Sequence, residues 1–132
     1  MLRIGLVGEG KTVVNDDNVA LTIGSGSVSV FATPILVALM ESAAVAAVVG
    51  QLTVGQTTVG TKIDVTHVAA TPLGLTVTAT AKLVEIDGRR LVFKVAAEDD
   101  SGSIGYGTHE RYIVDRETFL TKAEQRKSYG SK

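Results

Sequence analysis

Apolar and polar residues alternate at period two along most of this chain, and in one place the alternation gives way to a nearly unbroken apolar run. That run, ILVALMESAAVAAVV, spans Ile35–Val49 and follows Phe31-Ala32-Thr33-Pro34. Thr33 suits an N-cap and Pro34 the first helical position. Gly50 suits the position after the last turn. A helix apolar nearly all round is predicted to be buried on most faces. The alternating segments read as strands: Leu2–Val7, Val28–Phe31, Thr57–Val68, Leu75–Ile86, Leu91–Ala97 and Ile104–Val114. Asp87-Gly88 is a hairpin signal, and DDSGS marks a second turn. A short helix is expected from Asp115 to about Arg126, with Tyr129–Lys132 frayed. The predicted class is α+β, with an antiparallel sheet wrapped around one long buried helix.

The 132 residues, 45% of them hydrophobic, fit one domain over 1–132 with one sizeable core. A net charge of −1 does not favour nucleic acid or an anionic membrane as partner. There is no cysteine, which excludes disulfides and thiolate chemistry. His67 and His109 are the only histidines, too few for a His-rich metal centre; no metal and no cofactor is expected. The apolar run is too short to cross a bilayer and is interrupted by Glu41-Ser42. No charged leader with an apolar run and cleavage site opens the chain, so a cytoplasmic location is expected.

Gly5 to Thr12 reads GLVGEGKT, a literal match to the G-x-x-x-x-G-K-[ST] phosphate loop. Such a loop works at the N-terminus of a helix. Here Lys11-Thr12 is followed by VVNDDNVALTIGSG, which lacks helical character. No strand–helix alternation follows either. The expected structure is an edge strand over Leu2–Val7 with a glycine turn at Gly8–Lys11.

Glu41 is the more informative residue. Its neighbours one turn away, Val37, Ala38, Ala44 and Val45, are apolar. Burying an ionised carboxylate costs several kcal/mol, about the stability of a small domain. The ordinary alternative is a Glu that emerges at a gap in the sheet or pairs with a cation. His67 closes the run TTVGTKIDVTH and, alone, reads as a plain strand histidine; Thr33, alone, reads as a cap. Together a carboxylate, an imidazole and a hydroxyl supply a nucleophile or base, a proton shuttle and an orienting group, the kit for acyl-transfer hydrolysis. Thr33 and Glu41 stand about 12 Å apart in helical rise, however, so a second subunit is one way to close the gap.

VFATPILVALMESAA, TTVGTKIDVTHVAATPLG, EIDGRRLVFKVAAED and HERYIVD resemble the fluoroacetyl-CoA thioesterase family of hotdog proteins, over roughly Val28 to Phe119. The resemblance implies a hotdog fold and hydrolysis of a short-chain acyl-CoA substrate by a homodimer. It places the family's catalytic residues on Thr33, Glu41 and His67, and its substrate-binding residues on Gly60 and Arg111. The family's fluoroacetyl-selective lid carries a phenylalanine; the matching stretch here, NDDNVALTIGSGSVSV, has no aromatic residue. The expected substrate is therefore a small acyl group more broadly. A non-catalytic hotdog module that binds a CoA-linked or small apolar ligand is the alternative.

Three further positions carry weaker expectations. Arg89 and Arg90 follow the hairpin turn and are expected at a solvated tip, with CoA phosphates as a second reading. His109 is expected to be exposed or on an edge strand. Glu110 falls on the opposite strand face from His109 and Arg111, so the pair does not suit a metal.

Overall fold

A computed structural model describes residues 1–130, with Tyr129 and Gly130 described by their backbone alone. Five strands form one antiparallel sheet: β1 (Val7–Val13), β2 (Gln56–His67), β3 (Thr76–Asp87), β4 (Arg90–Asp99) and β5 (Gly102–Asp115). Their order across the sheet is β1-β3-β4-β5-β2. Helix α1 is a single turn, Ala20–Ile23; α2 is the long helix, Thr33–Val48; α3 is Arg116–Gly130.

The core lies between α2 and the inner sheet face. Leu36, Met40, Ala43, Ala44, Ala47 and Val48 of α2 are buried against Val77, Ala79, Ala81 and Leu83 of β3 and Leu91, Phe93 and Val95 of β4. Each strand supplies every second residue, as its alternation predicts. One face of α2 remains open: Pro34, Ala38 and Val45 are exposed and Glu41 is half-buried. Burial on most faces was the expectation, so the outcome is a correction. A single sheet can cover only one side of a helix.

The opening segment also differs from expectation. β1 begins where the first strand was expected to end, and runs through Gly8 and Lys11 rather than turning there. Its register places Gly8 opposite Ala81 and Gly10 opposite Ala79, both inner-face residues of β3. A Cβ on Gly8 would stand 2.0 Å from the Ala43 carbonyl oxygen, and one on Gly10 3.1 Å from Leu39 Cδ1. These glycines let β1 lie against the backbone of α2. Lys11 faces the other way and pairs with Glu9 at 3.7 Å. After β1, Asn18 folds the NDDN turn by accepting from the Asn15 N–H and donating to the Val13 carbonyl.

Val28–Phe31 is not a strand; it makes only isolated bridges, Val19 to Phe31 and Val30 to Pro72. VALTIG, expected to be extended, contains the one-turn helix α1. α3 runs past Arg126 to Gly130, so Tyr129 and Gly130 are helical; Ser131 and Lys132 lie outside the described residues. No helix among the described residues is long and apolar enough to cross a membrane.

Candidate active site

α2 starts one residue earlier than the capping pattern suggests. Ala32 is the N-cap, with no side-chain cap bond, and Thr33 is the first helical residue. The Thr33 hydroxyl is thereby freed from capping. It shares a 2.7 Å hydrogen bond with Nδ1 of His67, the last residue of β2. Nε2 of His67 is buried and has no hydrogen-bond partner among the described residues. A buried nitrogen without a partner is uncommon and calls for a functional account. Burial pushes the imidazole below its ordinary range, against a smaller opposing effect of the Ala69 backbone. Both residues line a cavity of about 320 Å³, together with Ala20, Ser25, Gly26 and Val30.

Glu41 occupies a second place, two turns along α2. Its Oε2 lies 3.7 Å from Nη1 of Arg111, with the Glu41 side chain 40% exposed. That distance is an ion pair without a direct hydrogen bond. The carboxylate is thus neither fully buried nor unpaired, which corrects the premise that burial marks it. Gly60 lies directly beneath. A Cβ there would come within 2.8 Å of Glu41 Oε2, 3.2 Å of Arg111 Nη1 and 3.3 Å of His109 Cε1. Only a residue without a side chain leaves that space. Gly60 faces Arg111 across the β2–β5 ladder, at a bulge that ends at Lys62.

Arg111 is itself buried, at 7% exposure, and is tightly held. Nε donates to Thr58 Oγ1 at 2.9 Å and Nη2 to the Thr58 carbonyl at 3.0 Å. Nη1 is 3.2 Å from Nε2 of His109. His109, expected at the surface, is 1% exposed and sits on the inner face opposite Phe93. The inner-face pattern of β5 (His109, Arg111, Ile113) carried the signal, but polar residues on that face masked it.

The five residues therefore form two groups within one chain: Thr33 with His67, and Glu41 with Gly60 and Arg111. No hydrogen bond or ion pair among the described residues joins Glu41 to Thr33 or His67. Gly60 and His67 are separated along β2 by on the order of 20 Å of strand. Arg89 and Arg90 form no free phosphate clamp. Arg89 donates to the Ile113 carbonyl, and Arg90 grips Glu110 at 2.9 and 3.2 Å and Glu85 at 2.8 Å. Arg89 is exposed at the hairpin tip, as expected, and Arg90 is half-buried, folded back onto β5 and β3 by these contacts. Glu110 projects from the face opposite His109, and Arg90 holds its carboxyl below the ordinary range.

A curled five-stranded antiparallel sheet around one helix, with polar groups at the helix start and the sheet edge, is the architecture of hotdog thioesterases. The crystal structure of a Thermus thermophilus thioesterase superfamily member shares the fold, with a TM-score of 0.91 at 24% identity over 99% of this chain and 97% of that one. Residues 14–117 match the model of the family described as FlK, fluoroacetyl-CoA-specific thioesterase. The fluoroacetyl-CoA thioesterase of Streptantibioticus cattleyicolor is 50% identical over 101 residues, 76% of this chain and 73% of that relative. A crystal structure of FlK superposes with a TM-score of 0.87 at 40% identity, covering 95% of this chain and 97% of that one. The chain belongs to the FlK family of thioesterases.

Proposed function

We propose that this protein hydrolyses a short-chain acyl-CoA thioester to the free acid and CoA. The observation that carries the reading is the 2.7 Å contact between Thr33 and His67 beside a cavity, on a chain 50% identical to a fluoroacetyl-CoA thioesterase. Residues 15–30, which supply Ala20, Ser25, Gly26, Val28 and Val30 to that cavity, carry no aromatic side chain, and the buried Phe31 after them is the aromatic residue in its lining. The lack of an aromatic in that segment favours a small acyl group over fluoroacetate in particular.

Hydrolysis needs an oxygen nucleophile at the thioester carbon, a proton for the departing sulfur, and stabilisation of the carbonyl oxygen. Glu41 either attacks the carbon itself, giving an anhydride that water then opens, or takes a proton from the attacking water. In both routes the C–S bond breaks and a proton given up by the water ends on the CoA thiolate; neutral His67, acting through Thr33, is the proposed carrier of that proton. Gly60 leaves room for close approach of the acyl group, and Arg111 supplies positive charge beside Glu41.

The two groups come together if the protein is a homodimer. β2 is a sheet edge with unpaired backbone groups, a surface that proteins cover. Antiparallel pairing of β2 with its copy about a two-fold axis near Ile63 and Asp64 sets His67 of one protomer opposite Gly60 of its partner. Each site then takes Thr33 and His67 from one protomer and Glu41, Gly60 and Arg111 from the other. The open stripe of α2 bearing Ala38, Glu41 and Val45 supports the same arrangement. One domain over 1–132 and a cytoplasmic location complete the reading.

The test is thiol release from a panel of short acyl-CoAs by the wild-type protein and by Glu41→Ala. Release by the former and not the latter is expected. No release above background on any substrate would leave a ligand-binding hotdog module instead.

A further inference from the structure

His109 has no part in the chemistry above, yet it is among the largest fully buried side chains, contacts Arg111 and has its Cε1 3.3 Å from where a Cβ on Gly60 would stand. Its Nδ1 lies 2.8 Å from the carbonyl oxygen of Lys62. A carbonyl only accepts, so Nδ1 carries the hydrogen. Its Nε2 lies 3.2 Å from Nη1 of Arg111, and a guanidinium only donates. Nε2 must then present its lone pair. One protonation state satisfies both contacts: the neutral ring with its hydrogen on Nδ1.

The consequence falls on Arg111. Its Nε and Nη2 are fixed by Thr58, and Nη1 is fixed by His109. Nη1 has two hydrogens. With one given to His109, the other remains on the side of Glu41 Oε2, 3.7 Å away. The same imidazole bonds Lys62, at the far end of the bulge that begins with Gly60. The ring thus ties the glycine and the arginine to one rigid point. An apolar side chain packed on Phe93, whose ring centroid is 6.2 Å away, would fill this space as well and hold neither.

We propose that His109 is a positioning residue for thioester hydrolysis: locked as the Nδ1–H form by the Lys62 carbonyl, it aims Arg111 at Glu41 and at the acyl group bound there. This rests on the reading of Glu41 and Arg111 as site residues. Burial, reinforced by the Arg111 charge and opposed chiefly by the hydrogen bond to the Lys62 carbonyl and then by Glu41 and Glu110, keeps the ring below its ordinary titration range, consistent with a neutral acceptor.

The test is a double-mutant cycle on acyl-CoA turnover with His109→Phe, His109→Gln, Arg111→Lys and the His109→Phe/Arg111→Lys double variant. Misplacing a site group by about 1 Å costs on the order of 100-fold, so His109→Phe should lower kcat/KM by roughly 10- to 100-fold. Gln offers an N–H for Lys62 and an oxygen for Arg111, and should recover most of that loss. In the Arg111→Lys background, His109→Phe should cost little more. Equal loss in both backgrounds would show a merely structural role and overturn the proposal. Long-range proton–nitrogen NMR of the wild type checks the tautomer without any substrate; a ring protonated on Nε2 at pH 7 overturns it too. A wild-type protein that releases no thiol overturns the whole assigned site, whereas turnover with an unaffected His109→Phe variant overturns the role of His109 alone.

Discussion

The Thr33 hydroxyl meets Nδ1 of His67 at 2.7 Å, joining the first residue of α2 to the last of β2. A helix-opening threonine with Ala32 as its cap has no backbone duty at that hydroxyl. Thr33→Ala should therefore leave stability nearly unchanged and lower kcat by roughly 100- to 10,000-fold if the hydroxyl relays a proton. Thr33→Ser should keep a substantial part of the rate. Thermal melts beside steady-state thiol release separate the two effects.

If the site is divided between protomers as proposed, mixtures of inactive chains should regain activity. In a heterodimer of Glu41→Gln with His67→Ala, one site would receive both lesions and the other neither. Co-refolding the two at equal amounts should return about one quarter of wild-type activity, since about half the dimers are mixed and each has one intact site. If every site drew its residues from a single protomer, the mixture would stay inactive.

Both imidazoles are held below their ordinary range, chiefly by burial. The folded chain then binds fewer protons than the unfolded one between its lowered values and about 6.5. Stability should rise with pH through that window and level off above it. His109→Gln should flatten the rise; a urea midpoint series from pH 5 to 8 reads it. The acid limb of kcat/KM should likewise lie below about 6.5 if neutral His67 is required.

Gly8 offers no room for a side chain, with the Ala43 carbonyl 2.0 Å from where its Cβ would stand. Gly8→Val should cost about 1–3 kcal/mol or more through forced separation of β1 from α2. That corresponds to a drop in melting temperature on the order of 4–12 °C. Lys11→Ala, on the solvent face beside Glu9, should change stability by under about 0.5 kcal/mol and leave turnover intact. An ATP-dependent rise in melting temperature lost in Lys11→Ala would revive the phosphate-loop reading.

Much of the fold was legible because helix and strand periods are local. The apolar run of α2, the Asp87-Gly88 hairpin and the alternation of β3 and β4 each declare themselves within a single short stretch of chain. Errors fell where local and tertiary demands differ. GLVGEGKT looks like a turn because glycine weakens strands, but α2 needs Gly8 and Gly10 bare so that backbones can approach. VALTIG alternates like a strand and yet turns once as a helix.

The chemistry divides in the same way. By itself, the sequence determined which side chains are available for the proposed chemistry: a carboxylate in an apolar helix, a histidine closing a strand, a glycine and an arginine in neighbouring blocks. Tertiary structure alone decided which of them meet. Register set Gly60 against Arg111 and Phe93 against His109, pairings between residues distant in the chain that no local pattern encodes. It also parted Glu41 from His67 and turned His109 inward. Side-chain partnership depends on strand pairing and helix placement, and these are fixed by the burial of the whole core.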